Sequence, residues 1–216
     1  MIARKIKKVV SISALIILLV LITPRLCYWV SWQIYMINPN VLHQTKASYE
    51  HLPSEVLVKK LGVQNVWFDI ALDVLAKRKD REAVPFILPL LKSPFKYRRH
   101  SAIRALADIG DERAEQPLMK ILKRGDQHPD YSEALHALSK MKYEPAYIYV
   151  SEWAHRSDAP RNGSVYMLKD FGKKESIPLL ENIRDQVKTD EPVFAEEIDE
   201  EIKIIKSKQV EIVDRN

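Results

Sequence analysis

Small residues and leucines recur along this chain with a period of about 31 residues. Ala71, Ala102, Ala134 and Ser164 share one position, and Leu75, Leu106, Leu138 and Leu168 follow four residues later. A small residue and a leucine at i and i+4 mark one stripe of a buried helical face. Twelve residues beyond each small position stand Ala83, Ala114, Ala146 and Ser176. Apolar stripes of a second helix follow each: Ile87, Leu88, Leu90 and Leu91; Leu118, Ile121 and Leu122; Ile148, Val150 and Trp153; Leu179, Leu180 and Ile183. The pattern predicts helix pairs over roughly 65–92, 96–124, 130–157 and 160–188, a last helix over 192–207, and a short helix near 53–61.

The prolines keep the same register. Pro94, Pro129, Pro160 and Pro192 lie between copies, where a helix must stop, because proline lacks the N–H and its ring clashes with the preceding turn. Pro85, Pro117 and Pro178 sit near the start of second helices, where the missing donor costs little. Asp80 and Asp111 are placed to cap the turn into the second helix. Gly110 and Gly172 suit the left-handed residue that ends the first. The third copy departs here, with Lys142-Tyr143 where Gly110-Asp111 stood. The acidic run Glu196, Glu197, Asp199, Glu200 and Glu201 suits a last helix that closes the array with a polar outer face.

The stretch RHSAIRALADIGDERAEQPLMKIL, Arg99 to Leu122, carries a basic residue, then small-x-x-x-Leu, Gly-Asp, a short turn with Arg113 and Ala114, then Leu118, Ile121 and Leu122. It resembles a HEAT repeat of the short type also found in phycobilisome lyases, and family-like signal covers roughly 65–188. The resemblance implies an all-α fold, a right-handed α–α superhelix of about four helix pairs plus a C-terminal capping helix, used for protein interaction. It transfers no activity.

Residues 1–37 are a different material. Arg4, Lys5, Lys7 and Lys8 precede the apolar run Val9 to Ile22. That run of about 14 residues matches a signal-peptide core. However, Thr23-Pro24-Arg25-Leu26 follows it, without the small pair that cleavage requires. Apolar character continues to Val30, giving about 22 residues, enough to span a bilayer. Tyr28, Trp29, Trp32 and Tyr35 then form an interfacial aromatic belt, and Arg25 snorkels to the headgroups. The reading favours one uncleaved transmembrane helix, with secretion after cleavage as the alternative. Basic residues on the amino side place that end in the cytoplasm and the repeats outside, in the periplasm or extracellular space. Four segments follow: 1–37, basic flank and anchor; 38–64, linker and short helix; 65–207, repeats; 208–216, tail. The lone Cys27 excludes an intramolecular disulfide.

Charge is read in that light. The chain carries a net +5. No acidic residue precedes Glu50, so the excess belongs to the anchor and its flank. The near-neutral remainder argues against a nucleic-acid partner. Within it the charges are polarised. Basic residues dominate 77–124 and acidic ones dominate 170–216. Arg78, Arg81, Lys96, Arg98 and Arg99, with Lys77 and Lys79, are read as one rim of the first two pairs. That rim is either a solvated edge or a docking patch for an acidic partner or anionic headgroups. The opposite signs also allow head-to-tail pairing between molecules. Trp67, Phe68, Trp153 and Tyr166 are expected in the core or in packing between repeats, with binding-groove aromatics as the alternative. Tyr147, with Tyr143 and Tyr149, is a candidate anchor for a peptide.

No constellation of catalytic residues emerges. The six histidines form no metal-spaced pair; Asp126-Gln127-His128-Pro129-Asp130 is the nearest approach. No glycine-rich phosphate loop or Gly-x-Ser-x-Gly motif occurs. The expectation is a membrane-anchored repeat scaffold that binds an envelope protein, with no catalysis, cofactor or metal of its own. The alternatives are a bilin-lyase-like enzyme and a HEAT-like nucleic-acid-binding protein of the alkylpurine glycosylase kind.

Overall fold

The computed structural model describes residues 46–62, 67–156 and 159–213, and every regular element among them is helical. The expected anchor and Cys27 lie outside the described residues. Among those described, no helix is long and apolar enough to cross a membrane. Between Phe86 and Ile87 the chain divides in sequence into two units. The division falls inside a four-residue helix, α3 (Val84–Ile87).

The first unit contains a helical turn at 46–49, α1 (Ser54–Lys60) and α2 (Trp67–Lys77), then a 3-10 turn over Arg81–Ala83. α1 packs on α2. Leu57 and Leu61 meet a face of α2 formed by Phe68, Ala71, Leu72 and Leu75, all buried. The segment before α1 is held by charge-assisted bonds. Arg78 donates from Nη1 to the Leu52 carbonyl at 2.8 Å and from Nη2 to that of Glu50 at 2.5 Å. Lys46 pairs with Asp73 at 2.5 Å.

The second unit begins with a 3-10 segment, Leu88–Lys92. Three helix pairs follow: α4 (Lys96–Ile109) with α5 (Glu115–Leu122), α6 (Tyr131–Lys140) with α7 (Tyr147–Ala154), and α8 (Arg161–Phe171) with α9 (Ile177–Val187). α10 (Pro192–Val213) closes the unit. First helices stack on first helices, α4 on α6 and α6 on α8. α10 lies along α9. It runs six residues past the expected end at 207, and its buried stripe is Ala195, Ile198, Ile202 and Ile205.

The repeat register is the core. Ala102, Ala134 and Ser164 are buried, as are Leu106, Leu138 and Leu168 one turn on. Ala114, Ala146 and Ser176 open the second helices from equally buried sites. The small residue lets two helices approach and the leucine fills the space one turn later. Truncating such a leucine costs about 2–5 kcal/mol. Where serine replaces alanine, its hydroxyl is satisfied. Ser164 donates to the Pro160 carbonyl at 3.2 Å, and Ser176 meets the Tyr147 hydroxyl at 3.1 Å.

The turn between paired helices places a left-handed residue at the same position in every copy. Lys79, Gly110, Lys142 and Gly172 occupy one register position, and all four are left-handed, with φ of 52°, 70°, 55° and 61°. The two glycines each donate one bond, to Leu106 and Leu168 four residues back. The two lysines sit in fuller Schellman closures. Lys142 donates to Ser139, and the following Tyr143 reaches back to Leu138; Lys79 donates to Ala76, and Asp80 reaches Leu75. The third copy thus keeps its turn despite losing Gly-Asp. Asp80 and Asp111 cap as their spacing predicts, accepting from Glu82 N and Arg113 N, each at 3.0 Å.

Candidate interaction surface

In the second unit, ion pairs and hydrogen bonds join each helix pair to the next. The centre of this network is Asp130, whose carboxylate is 2% exposed. Arg99 grips it with both arms of its guanidinium, Nε at 2.6 Å and Nη2 at 3.1 Å. His100 Nε2 lies 3.0 Å from the same carboxylate, and its Nδ1 lies 3.0 Å from Glu133. Arg99 Nη1 also donates to the carbonyls of Ser93, at 2.9 Å, and Pro94, at 3.4 Å. One arginine therefore fixes the loop ahead of α4, its own helix and the start of α6. Burial pushes the Asp130 carboxyl up; the bonds and charge of Arg99, aided by His100, outweigh this and hold it below the ordinary carboxylate range.

The remaining joints repeat at the same spacing. Lys140 pairs with Asp108 across α6 and α4. Ser139 donates to Asp170 at 3.3 Å across α6 and α8. Asp108, Lys140 and Asp170 all stand six residues after the small position, so charge alternates from copy to copy. Arg156 pairs with Asp126 and stacks 4.9 Å over Trp153. Lys173 pairs with Glu144, and Lys169 with Glu201.

These joints decide the fate of the residues expected to meet a partner. Arg98 is buried, and Arg99 is consumed by Asp130 with 16% of its side chain exposed. Both stand on the core side of α4, Arg98 one turn ahead of Ala102 on the same stripe. Arg78, in the first unit, holds the chain ahead of α1. Arg81 in the first unit and Lys96 in the second are exposed. Tyr147 is half-buried as a joint between pairs. Its ring meets Phe171 edge-on at 5.3 Å, its hydroxyl meets Ser176, and Lys173 lies 4.6 Å above it. Within the second unit, Arg98, Arg99 and Tyr147 serve packing between helices, and of its four candidate residues only Lys96 is exposed. The Asp126–Asp130 loop is likewise structural, and among the described residues no group of His, Cys, Asp or Glu is arranged to hold a metal ion.

Two apolar residues stand where the register demands solvent. Ile148, expected in a buried stripe, is 57% exposed on α7. It lies two residues after Ala146, where the other copies have Pro85, Gln116 and Pro178. Tyr166, expected in the core, is 54% exposed on α8. It lies two residues after Ser164, matching the polar Asp73, Arg104 and His136. Two residues is about 200° around a helix, so both point away from the small residue that faces the core. Phe68 does lie in the core, and Trp153 packs tilted on Tyr131 at 5.6 Å. The side chain of Trp67 is outside the described set.

Helix pairs with a shared register, cross-linked at the repeat spacing, define a helical-repeat protein. Residues 69–139 match the family of HEAT repeats, which generally mediate protein–protein interactions. A comparison with curated proteins finds no match.

Proposed function

We propose that the protein is a membrane-anchored helical-repeat scaffold that binds another protein on the extracytoplasmic side and carries out no chemistry of its own. The apolar run Val9 to Val30 is the anchor, and its basic flank keeps the amino end in the cytoplasm. The observation that supports a docking role is Ile148. It is a large apolar side chain at a register position that is proline or glutamine elsewhere, and it contributes nothing to the core. Beside it on the α7 surface, Glu152 is exposed and Tyr149 half-buried. An apolar anchor with a polar surround is the composition of a small interface centre.

The test is site-specific photocrosslinking in intact membranes. A crosslinker at Ile148 is expected to give a discrete adduct; one at Arg104, on the opposite, first-helix side, is expected to give none. Equal adducts from both positions, or none from Ile148, refute the docking role. Labelling of an Asn216→Cys variant, in a Cys27→Ser background, by an impermeant reagent from outside the cell tests the topology separately. Protection of that thiol until lysis refutes the extracytoplasmic placement.

A further inference from the structure

We propose that the protein associates head to tail with further copies of itself, the acidic outer stripe of α10 in one copy seating on the basic, aromatic edge at the start of α4 in the next. Both patches belong to the second unit.

The outer stripe of α10 runs Val193, Glu197, Glu200, Ile204, at spacings that keep one helical face. That face lies opposite Ala195, Ile198, Ile202 and Ile205, which are buried. Val193 is 69% exposed and Ile204 is exposed too. Two apolar side chains therefore bracket two carboxylates, with Glu196 exposed beside them. Glu200 pairs with Lys203 on the same helix at 2.6 Å, but both ends stay in water and the carboxylate remains accessible. A helix that only capped the array needs a polar outer face. Exposed valine and isoleucine at the two ends of this stripe serve no such purpose.

The complementary edge is Lys92, Phe95, Lys96 and Tyr97. All four are exposed, and the two rings are 6.0 Å apart. Among the described residues neither lysine has an ion-pair partner. The edge is also rigid. Arg99, anchored on Asp130, holds the carbonyls of Ser93 and Pro94, and the Phe95 amide donates to Ser93 Oγ at 3.3 Å. A pre-ordered edge loses little freedom on binding. Each patch thus offers two apolar contacts and at least two like charges, with opposite signs on the two. The patches differ, so the contact is heterologous; it propagates as a chain or closes as a ring. The same face-to-face charge arrangement opposes a symmetric pairing of either patch with itself.

The experiment uses the full 216-residue chain in a nonionic detergent and measures sedimentation velocity at about 0.05 M and about 0.5 M salt. Wild type is expected to associate at low salt and to dissociate at high salt. Lys92→Glu/Lys96→Glu and Glu197→Lys/Glu200→Lys are each expected to be monomeric alone. Mixed in equal amounts they are expected to associate again, because each then supplies one intact patch to the other. Restoration on mixing also proves both variants folded. A wild type that is monomeric at low salt overturns the proposal. So does either variant associating alone, the result expected if the anchor or another surface joins the molecules. A mixture that stays monomeric overturns it as well. If a swap variant loses its helical circular dichroism, Lys96→Gln and Glu197→Gln replace it, each expected to weaken association about tenfold; unchanged association overturns the proposal.

Discussion

Replacing Asp130 by asparagine tests whether one buried carboxylate locks the second unit together. The amide keeps the shape and removes the charge. Arg99 then faces a neutral partner with only 16% of its side chain in water. Breaking a buried pair from one side costs about 3–5 kcal/mol, because the other charge is left uncompensated. Arg99 keeps the Ser93 carbonyl at 2.9 Å, which places the loss at the lower end, about 3 kcal/mol. For a unit of this size that lowers the melting temperature by about 10 °C. Arg99→Met strands Asp130 in turn, though His100 still reaches it at 3.0 Å. The double variant leaves no stranded charge, so its cost falls well short of the sum, by about 2 kcal/mol.

Urea denaturation of the four proteins followed by circular dichroism supplies the cycle, and pH supplies a second axis. Asp130 titrates below the ordinary carboxylate range when folded. A depressed acid stabilises the folded state fully above its unfolded pKa of about 4 and loses that contribution as pH falls through the folded value. The gap between wild type and Asp130→Asn must therefore narrow below about pH 4. A coupling under about 0.5 kcal/mol, or a penalty equal at pH 7 and pH 3, refutes the account of Asp130 as the lock.

Three further outcomes follow from single positions. Lys142→Gly relieves a left-handed lysine and is expected to stabilise by about 0.5–1 kcal/mol, whereas Gly110→Ala at the equivalent site destabilises by about 1 kcal/mol; thermal melts giving one sign for both contradict the shared turn. Gly163→Ala brings its methyl within 3.3 Å of His136 Nε2, the outer edge of an exposed ring that can turn aside, so removing a helical glycine is expected to gain about 0.5 kcal/mol; a measured loss above about 1 kcal/mol means the ring is fixed. Burial raises the pKa of Asp170, against the opposing effects of the Ser139 bond and nearby cations. A raised acid costs stability at neutral pH that it does not cost below its unfolded pKa, so Asp170→Asn is expected to raise the melting temperature at pH 7 and leave it unchanged at pH 3.

The register was legible because its chemistry is the simplest kind. A small residue followed by leucine one turn on is demanded by helix contact, and all of these positions are buried. The charge of Arg98 and Arg99 suggests a rim, whereas their phase does not. Counting back four and three from Ala102 puts both on the core side of α4. The counter-charge of Arg99, Asp130, stands about one repeat later and looks like loop until the stack is built. Ile148 and Tyr166 show the converse. Their hydrophobicity suggested core, while the equivalent residues of the other copies, all polar or proline, marked the sites as wet. Composition at one site misleads where the same register position in sibling repeats does not.

That comparison also separates what a repeat array uses for folding from what it holds ready for a partner. A residue that recurs in every copy answers a demand made by stacking, which is identical in every copy. The left-handed turn is one such demand, met by glycine twice and by lysine twice, the lysine copies adding a bond from the following residue. A residue that breaks the pattern without mending anything in the fold answers something else. Tyr147 does serve the fold, since its hydroxyl reaches the serine that stands for alanine at 176. Ile148, one residue on, turns an apolar side chain to water that its sibling positions meet with proline or glutamine. Leaving a large aliphatic side chain in water forgoes about 1.5–3 kcal/mol that burial would supply. An interface recovers that free energy and the isolated fold does not, which leaves the second-helix surface around Ile148 unexplained by folding.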